Sequence, residues 1–185
     1  MLSLQSGSWS ETVLYDFCSV EGCADGAYPF GNVVFDPAGN LLGTTGAGGN
    51  SCEVACGVLY RLSPNGGGWQ ETVLHAFCAD YDCADGATPL GVPTVAADGT
   101  IYGTAENGGG NDIDAFGVGG GVIYKLSGGA YKVLHAFCSL ANCADGEYPN
   151  GTLNFGASGN LTGTTQLGGV NGSAETGGTV FERRP

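Results

Sequence analysis

ETVLYDFC at residues 11–18 returns as ETVLHAFC at 71–78 and as YKVLHAFC at 131–138, sixty residues apart each time. The residues downstream of each copy recur in the same register. YPFGNVVFDPAGNLLGTT (28–45) is matched by TPLGVPTVAADGTIYGTA (88–105) and YPNGTLNFGASGNLTGTT (148–165). A Gly-Gly pair comes next, at 48–49, 108–109 and 168–169. After a loop of variable length come GVLYRLS (57–63), GVIYKLS (121–127) and GTVFERR (178–184). A fixed period of this size is the mark of a repeat architecture.

Each unit reads as four short strands. TVLYDF and its copies are rich in β-branched and aromatic residues and form the first. NVVFD, NLLGTT and GVLYRL, with their copies, form the second, third and fourth. The segments at 38–40, 98–99 and 158–159 supply Gly-containing turns between the second and third. No segment keeps a helical period over ten residues, so the fold is expected to be all-β. The expected architecture is three four-stranded antiparallel units packed like β-propeller blades, within a single repeat domain at 1–185. The units run at approximately 11–70, 71–130 and 131–185, and residues 1–10 are the tail of a preceding unit. A β-trefoil or a β-prism is the alternative; the unit is long for a trefoil.

The start of the chain carries the same phase. MLSLQSGSWSETVL aligns with RLSPNGGGWQETVL at 61–74, which places Trp9 level with Trp69. GTVFERRP runs just past the same point, so the ends overlap by about four residues in repeat phase. Three blades are few for an ordinary closed ring, which takes four to eight. Ends in phase suit copies that join head to tail or pair into a larger ring, and equally a segment that lies inside a longer array of such units.

Charge and composition exclude several classes. Eighteen acidic against five basic residues give a net charge of −13, which repels nucleic acid and anionic lipid. No apolar run is long enough to insert into a membrane. The opening MLSLQSGSWS has neither the basic start nor the apolar stretch of a signal peptide. Eight cysteines in four close pairs point to an oxidising compartment, hence a secreted or cell-surface location.

The combination of Asp-Gly, Tyr-Pro, Gly-Asn-Leu-x-Gly-Thr-Thr, Gly-Gly and Gly-x-Val-Phe, repeated along nearly the whole chain, resembles the GloVer tandem repeats. Those occur in secreted bacterial proteins with varied C-terminal surface anchors. The resemblance implies an extracellular repeat protein and brings no catalytic residues with it. The second unit departs from the pattern at Ala105, where the others have Thr.

The candidate chemistry is sparse. Cys18/Cys23, Cys78/Cys83 and Cys138/Cys143 have four residues between them, and Cys52/Cys56 has three. Disulfides across these short loops are favoured over zinc, because equivalent pairs spread around a repeat do not converge into four-ligand sites. Asp25, Asp85 and Asp145 recur in each Cys-Ala-Asp-Gly; each reads first as a residue that holds its own turn. Asp80, Asp82 and Asp85 also resemble part of a calcium loop, and Asp112 and Asp114 form a second weak calcium candidate. Calcium is therefore the one cofactor the sequence suggests. Tyr15, His75 and His135 share one strand position; packed rings are the favoured reading and a ligand site the other. Trp9, Trp69, Tyr28 and Tyr148 are candidates for stacking on sugars. Sequons stand at Asn150, Asn160 and Asn171. The Gly-rich run at 117–122 lacks the Lys of a P-loop. No nucleophile or carboxylate pair stands in a recognisable catalytic motif. The expected function is non-enzymatic: self-assembly as an extracellular surface fibre or matrix component. Glycan binding by a lectin-like propeller is the alternative.

Overall fold

The computed structural model describes residues 2–5, 7–49, 56–80, 82–110, 119–171 and 176–185. The fold is all-β, with antiparallel sheets of four, four and three strands behind a short N-terminal hairpin. The hairpin joins β1 (Leu2–Gln5) to β2 (Ser8–Glu11). The first sheet runs in chain order through β3 (Ala27–Phe35), β4 (Leu41–Ala47), β5 (Val58–Asn65) and β6 (Gly68–Ala76). The second repeats it with β7 (Thr94–Val95), β8 (Ile101–Ala105), β9 (Val122–Ser127) and β10 (Ala130–Ala136). The third holds β11 (Asn154–Phe155), β12 (Leu161–Thr165) and β13 (Thr179–Arg183).

The sheets take their strands in a different phase from the sequence units. TVLHA does not open a sheet; it closes one, with Glu71 opposite Leu62 and Ala76 opposite Val58. The cause is a tight turn that is hard to see in the sequence. Asn65 faces Gly68 across the two-residue link Gly66-Gly67, whose φ angles of 58° and 94° give the type I′ geometry that matches strand twist. Ser127 and Ala130 face each other across Gly128-Gly129 in the same way. The cysteine loops therefore lie between sheets, leading from the last strand of one to the first strand of the next.

The cores also lie between sheets. Along β5, Val58, Tyr60 and Leu62 point back toward Leu14, Tyr15 and Phe17, while Leu59 points forward to the second sheet. Along β9, Val122, Tyr124 and Leu126 point back and Ile123 points forward to Leu153 and Leu161. This is the two-residue alternation of a strand with both faces buried, which is why VLY and VIY read as unbroken apolar runs. The Gly of Gly-Thr-Thr, or of Gly-Thr-Ala in the second unit, gives one of these rings its seat: a Cβ at Gly43 or Gly103 would clash with the hydroxyl of Tyr60 or Tyr124. The threonine beside it ties neighbouring sheets together. Thr44 Oγ1 donates to the Gly91 carbonyl at 3.3 Å, and Thr104 Oγ1 to the Gly151 carbonyl at 3.1 Å.

Candidate functional site

Each passage between sheets is a stapled turn. Disulfides join Cys18 to Cys23, Cys78 to Cys83 and Cys138 to Cys143. All six of these cysteines have positive φ, between 46° and 60°, a region that non-glycine residues seldom adopt. The backbone closes over them: the amides of Cys18, Cys78 and Cys138 donate to the carbonyls of Gly26, Gly86 and Gly146, each at 3.0 Å. Cys56 is buried and disulfide-bonded. Cys52, Asp112 and Asp114 lie outside the described residues.

The recurring aspartate is occupied by its own turn. Asp25 accepts from the Ser19 amide (2.9 Å), the Ser19 hydroxyl (2.8 Å) and the Tyr15 hydroxyl (2.9 Å). Burial opposes its charge, but these hydrogen bonds outweigh burial and hold its carboxyl below the usual range. Asp145 repeats the arrangement with the Ser139 amide (3.1 Å), the Ser139 hydroxyl (2.7 Å) and the Leu140 amide (3.2 Å). It too sits below its ordinary value, against the effect of burial. The second turn has Ala79 in place of the serine, and Asp85 there meets His75 Nε2 at 2.9 Å. Asp145 meets His135 Nε2 at 3.2 Å. Burial, and then the nearby Arg183 charge, push the His135 pKa down while Asp145 pulls it up.

Two of the three ring positions, Tyr15 and His75, face a partner fifty-six residues further on, Glu71 and Tyr131. His75 stacks on Tyr131 with ring centroids 3.6 Å apart and planes 6° from parallel, and the Tyr131 hydroxyl donates to the Asp85 carbonyl. Glu71 stands where Tyr131 stands in the next copy. Burial, and then the Asp25 charge, raise its pKa to about 7. This partner was hidden from sequence reading because it belongs to the next sheet; the only signal was the Glu/Tyr difference at matched positions 71 and 131. In chemical terms the site packs and orients. The imidazole of His75 is covered on one face by Tyr131 and engaged at Nε2 by Asp85, and the neighbouring sulfurs are tied up as disulfides.

The other candidates scatter. Asp80 takes part in its turn through its carbonyl, which accepts the Cys83 amide, and Asp82 caps the Ala84 amide at 3.4 Å. Among the described residues no group of three or more His, Cys, Asp or Glu side chains is placed to hold a metal ion. Trp9 is exposed on β2, whereas Trp69 packs partly buried against the Leu62 cluster. Tyr28 is exposed and Tyr148 half-buried. Asn150 and Asn171 are exposed and Asn160 is half-buried. No described helix is long and apolar enough to cross a membrane.

The remaining notable surfaces are the outer faces of the stack. Leu59 and Ile123, matched residues on β5 and β9, are 0% exposed because the next sheet covers them. Their counterpart on β13, Val180, is 84% exposed. At the opposite end Val33 is 48% exposed, whereas Leu153, which matches it on the third sheet, is 1% exposed. No protein-family model matches this chain, and no curated protein matches it in sequence. The likeness to GloVer repeats therefore rests on the motifs themselves.

Proposed function

We propose that the chain is a non-enzymatic extracellular repeat protein of the GloVer type, whose sheets are propeller-like blades and which works by joining end to end in a surface fibre or matrix. The observation that carries this reading is the exposure of Val180 at 84% where Leu59 and Ile123 stand at 0%. An interface that recurs twice inside the chain is thus left open as two complementary halves. The forward face of the third sheet offers Val180 and Thr164, and the backward face of the first offers Val33, Phe30 and Phe35. Two different surfaces that fit each other make a heterologous contact, which closes into a ring or extends into a filament according to its rotation. The three stapled turns suit an oxidising location outside the cell, and the net charge of −13 keeps a surface with such patches soluble.

Light scattering on the purified chain across a concentration series, followed by negative-stain microscopy, tests the proposal. Oligomers that grow with concentration and appear as rings or filaments are expected. A compact monomer at the highest concentration reached would sink it.

A further inference from the structure

The first and second sheets, both four-stranded, leave a pocket of about 320 Å³ between them. One wall is the turn after β3, with Asp36; the other is the turn before β8, with Asp98. The floor is apolar, with Leu42 and Leu74 from the first sheet and Ile101 from the second. Arg61 of β5 lines it as well. The volume is at the small end of the roughly 300–1,000 Å³ usual for ligand pockets. At the next interface the same place is taken by a ring. Tyr102 stands there where Leu42 stands here; it is 8% exposed, packs with Leu153 and Leu161, and meets the edge of Phe155 at 5.6 Å between centroids. The carboxylates are missing there too, since Ala96 matches Asp36 and Ser158 matches Asp98. The pocket thus belongs to one interface and is not a general consequence of the repeat.

Its polar groups are incompletely matched. Arg61 Nε is buried with no hydrogen-bond partner, and among the described residues the guanidinium forms no ion pair. An unmet donor of this kind is costly, and a guanidinium, with five N–H donors and no acceptor, calls for an oxygen-bearing partner. Asp36 is ionised: burial raises its pKa, but hydrogen bonds from Asn40 and Ala38 outweigh burial, and the Arg61 charge adds to them. Asp98 is exposed, and hydrogen bonds from Thr100 hold its pKa below the ordinary value. These charges select the ligand. An anion meets two carboxylates in a chain of net charge −13, and a simple cation meets Arg61. A hydroxyl suits both walls, because it accepts from a guanidinium and donates to a carboxylate. A ring that carries several hydroxyls also has C–H surface to lay on the apolar floor.

We propose that this pocket binds a neutral monosaccharide: ring hydroxyls accept from Arg61 and donate to Asp36 and Asp98, and the C–H face of the sugar lies on Leu42, Leu74 and Ile101. The site lies within one chain and does not depend on end-to-end joining. It gives each copy one point of attachment to sugar.

Titration of the isotope-labelled chain, followed by amide NMR shifts, tests the site. Glucose, galactose, mannose and N-acetylglucosamine are added separately to about 50 mM, above the millimolar dissociation constants expected for ligands of this size. Leucine, a zwitterion, and inorganic phosphate, an anion, are the comparison probes. At least one sugar should shift the amides of Ala38, Asn40, Gly99 and Thr100 saturably and leave those of Ser158 and Gly159 in place. Arg61→Gln should weaken that sugar at least about tenfold. Leu42→Tyr, which imports the residue of the second interface, should abolish the shifts. Asp98→Asn changes an exposed turn residue and should weaken binding even if the other two variants do not fold. The proposal is overturned if none of the four sugars moves these amides, or if leucine or phosphate moves them and no sugar does. It is also overturned if the sugar binds Asp98→Asn and a folded Arg61→Gln as tightly as wild type.

Discussion

Replacing Glu71 with Gln should make the protein more stable at mildly alkaline pH, with a gain that shrinks steadily as pH falls toward about 4.3. Glu71 sits on β6 with Oε1 buried and without a hydrogen-bond partner, and its pKa is pushed up from 4.5 to about 7, by burial first and then by the Asp25 charge. A carboxyl whose folded pKa lies above its unfolded value holds its proton more tightly when folded. Its contribution is therefore complete below about pH 4.3 and is lost as pH rises through about 7. At about 1.4 kcal/mol per pH unit, the full shift corresponds to about 3 kcal/mol. Glu71 is only partly buried, and solvent screening reduces this to about 1–2 kcal/mol.

Gln keeps the shape and removes the charge. Urea unfolding of wild type and Glu71→Gln, at steps from about pH 5 to about pH 8, reads the effect. Asp25, held low by its hydrogen bonds, stays ionised throughout that window. His135, whose pKa is pushed down, contributes stability that is lost as pH falls through the same window. The difference between variant and wild type cancels that slope and is the quantity to follow. It should grow from a few tenths of a kcal/mol to about 1–2 kcal/mol in favour of Gln. A constant difference across the window, or a less stable variant at about pH 8, would refute the account of Glu71 as a carboxyl whose proton is held by burial first and by the Asp25 charge second.

Three further substitutions probe the packing. Tyr124→Phe removes a buried hydroxyl with no hydrogen-bond partner, and the matching position already holds Phe181; thermal melting should show a gain of about 1 kcal/mol. Gly103→Ala places a methyl against that same ring, so chemical denaturation should show a loss of about 1–3 kcal/mol, which adding Tyr124→Phe does not recover because Cζ of the ring would still stand 2.5 Å from the methyl. Cys78→Ser with Cys83→Ser opens one short loop; urea unfolding should lose about 2 kcal/mol, and a variant as stable as wild type would mean that the turn holds without its staple.

Most of the strand content and three of the disulfide pairs were legible because both are local and each is written several times, although TVLYDF at 12–17, expected as a strand, is not one. The phase of the sheets was not. TVLHAF looks the same whether it opens a sheet or closes one; what decides is the tight turn at Gly66-Gly67, within three glycines in a row that read as a loose loop. The role of Asp25 was half legible. An aspartate before Gly-rich sequence suggests a turn, and the structure supplies the donors, Ser19, Tyr15 and the Val20 amide, that occupy both carboxylate oxygens. The pairing of His75 with Tyr131, and of Glu71 with the Tyr15–Asp25 pair, was out of reach, since each facing group arrives from a different repeat.

This locality also explains what most distinguishes the ends of the stack. A sheet in such an array cannot satisfy its own faces; its neighbours do. Leu59, Ile123 and Val180 are apolar residues at one position in three sheets, and their exposure follows whether a following sheet covers them. A terminal sheet that ended the array would gain solubility from a polar residue there, as capping repeats do. Val180 is instead apolar, and Thr164 beside it matches the hydroxyls of Thr44 and Thr104, which bond to the next sheet. The outer face of the third sheet has the chemistry of an internal one, and that likeness is what supports the proposal that another unit lies against it.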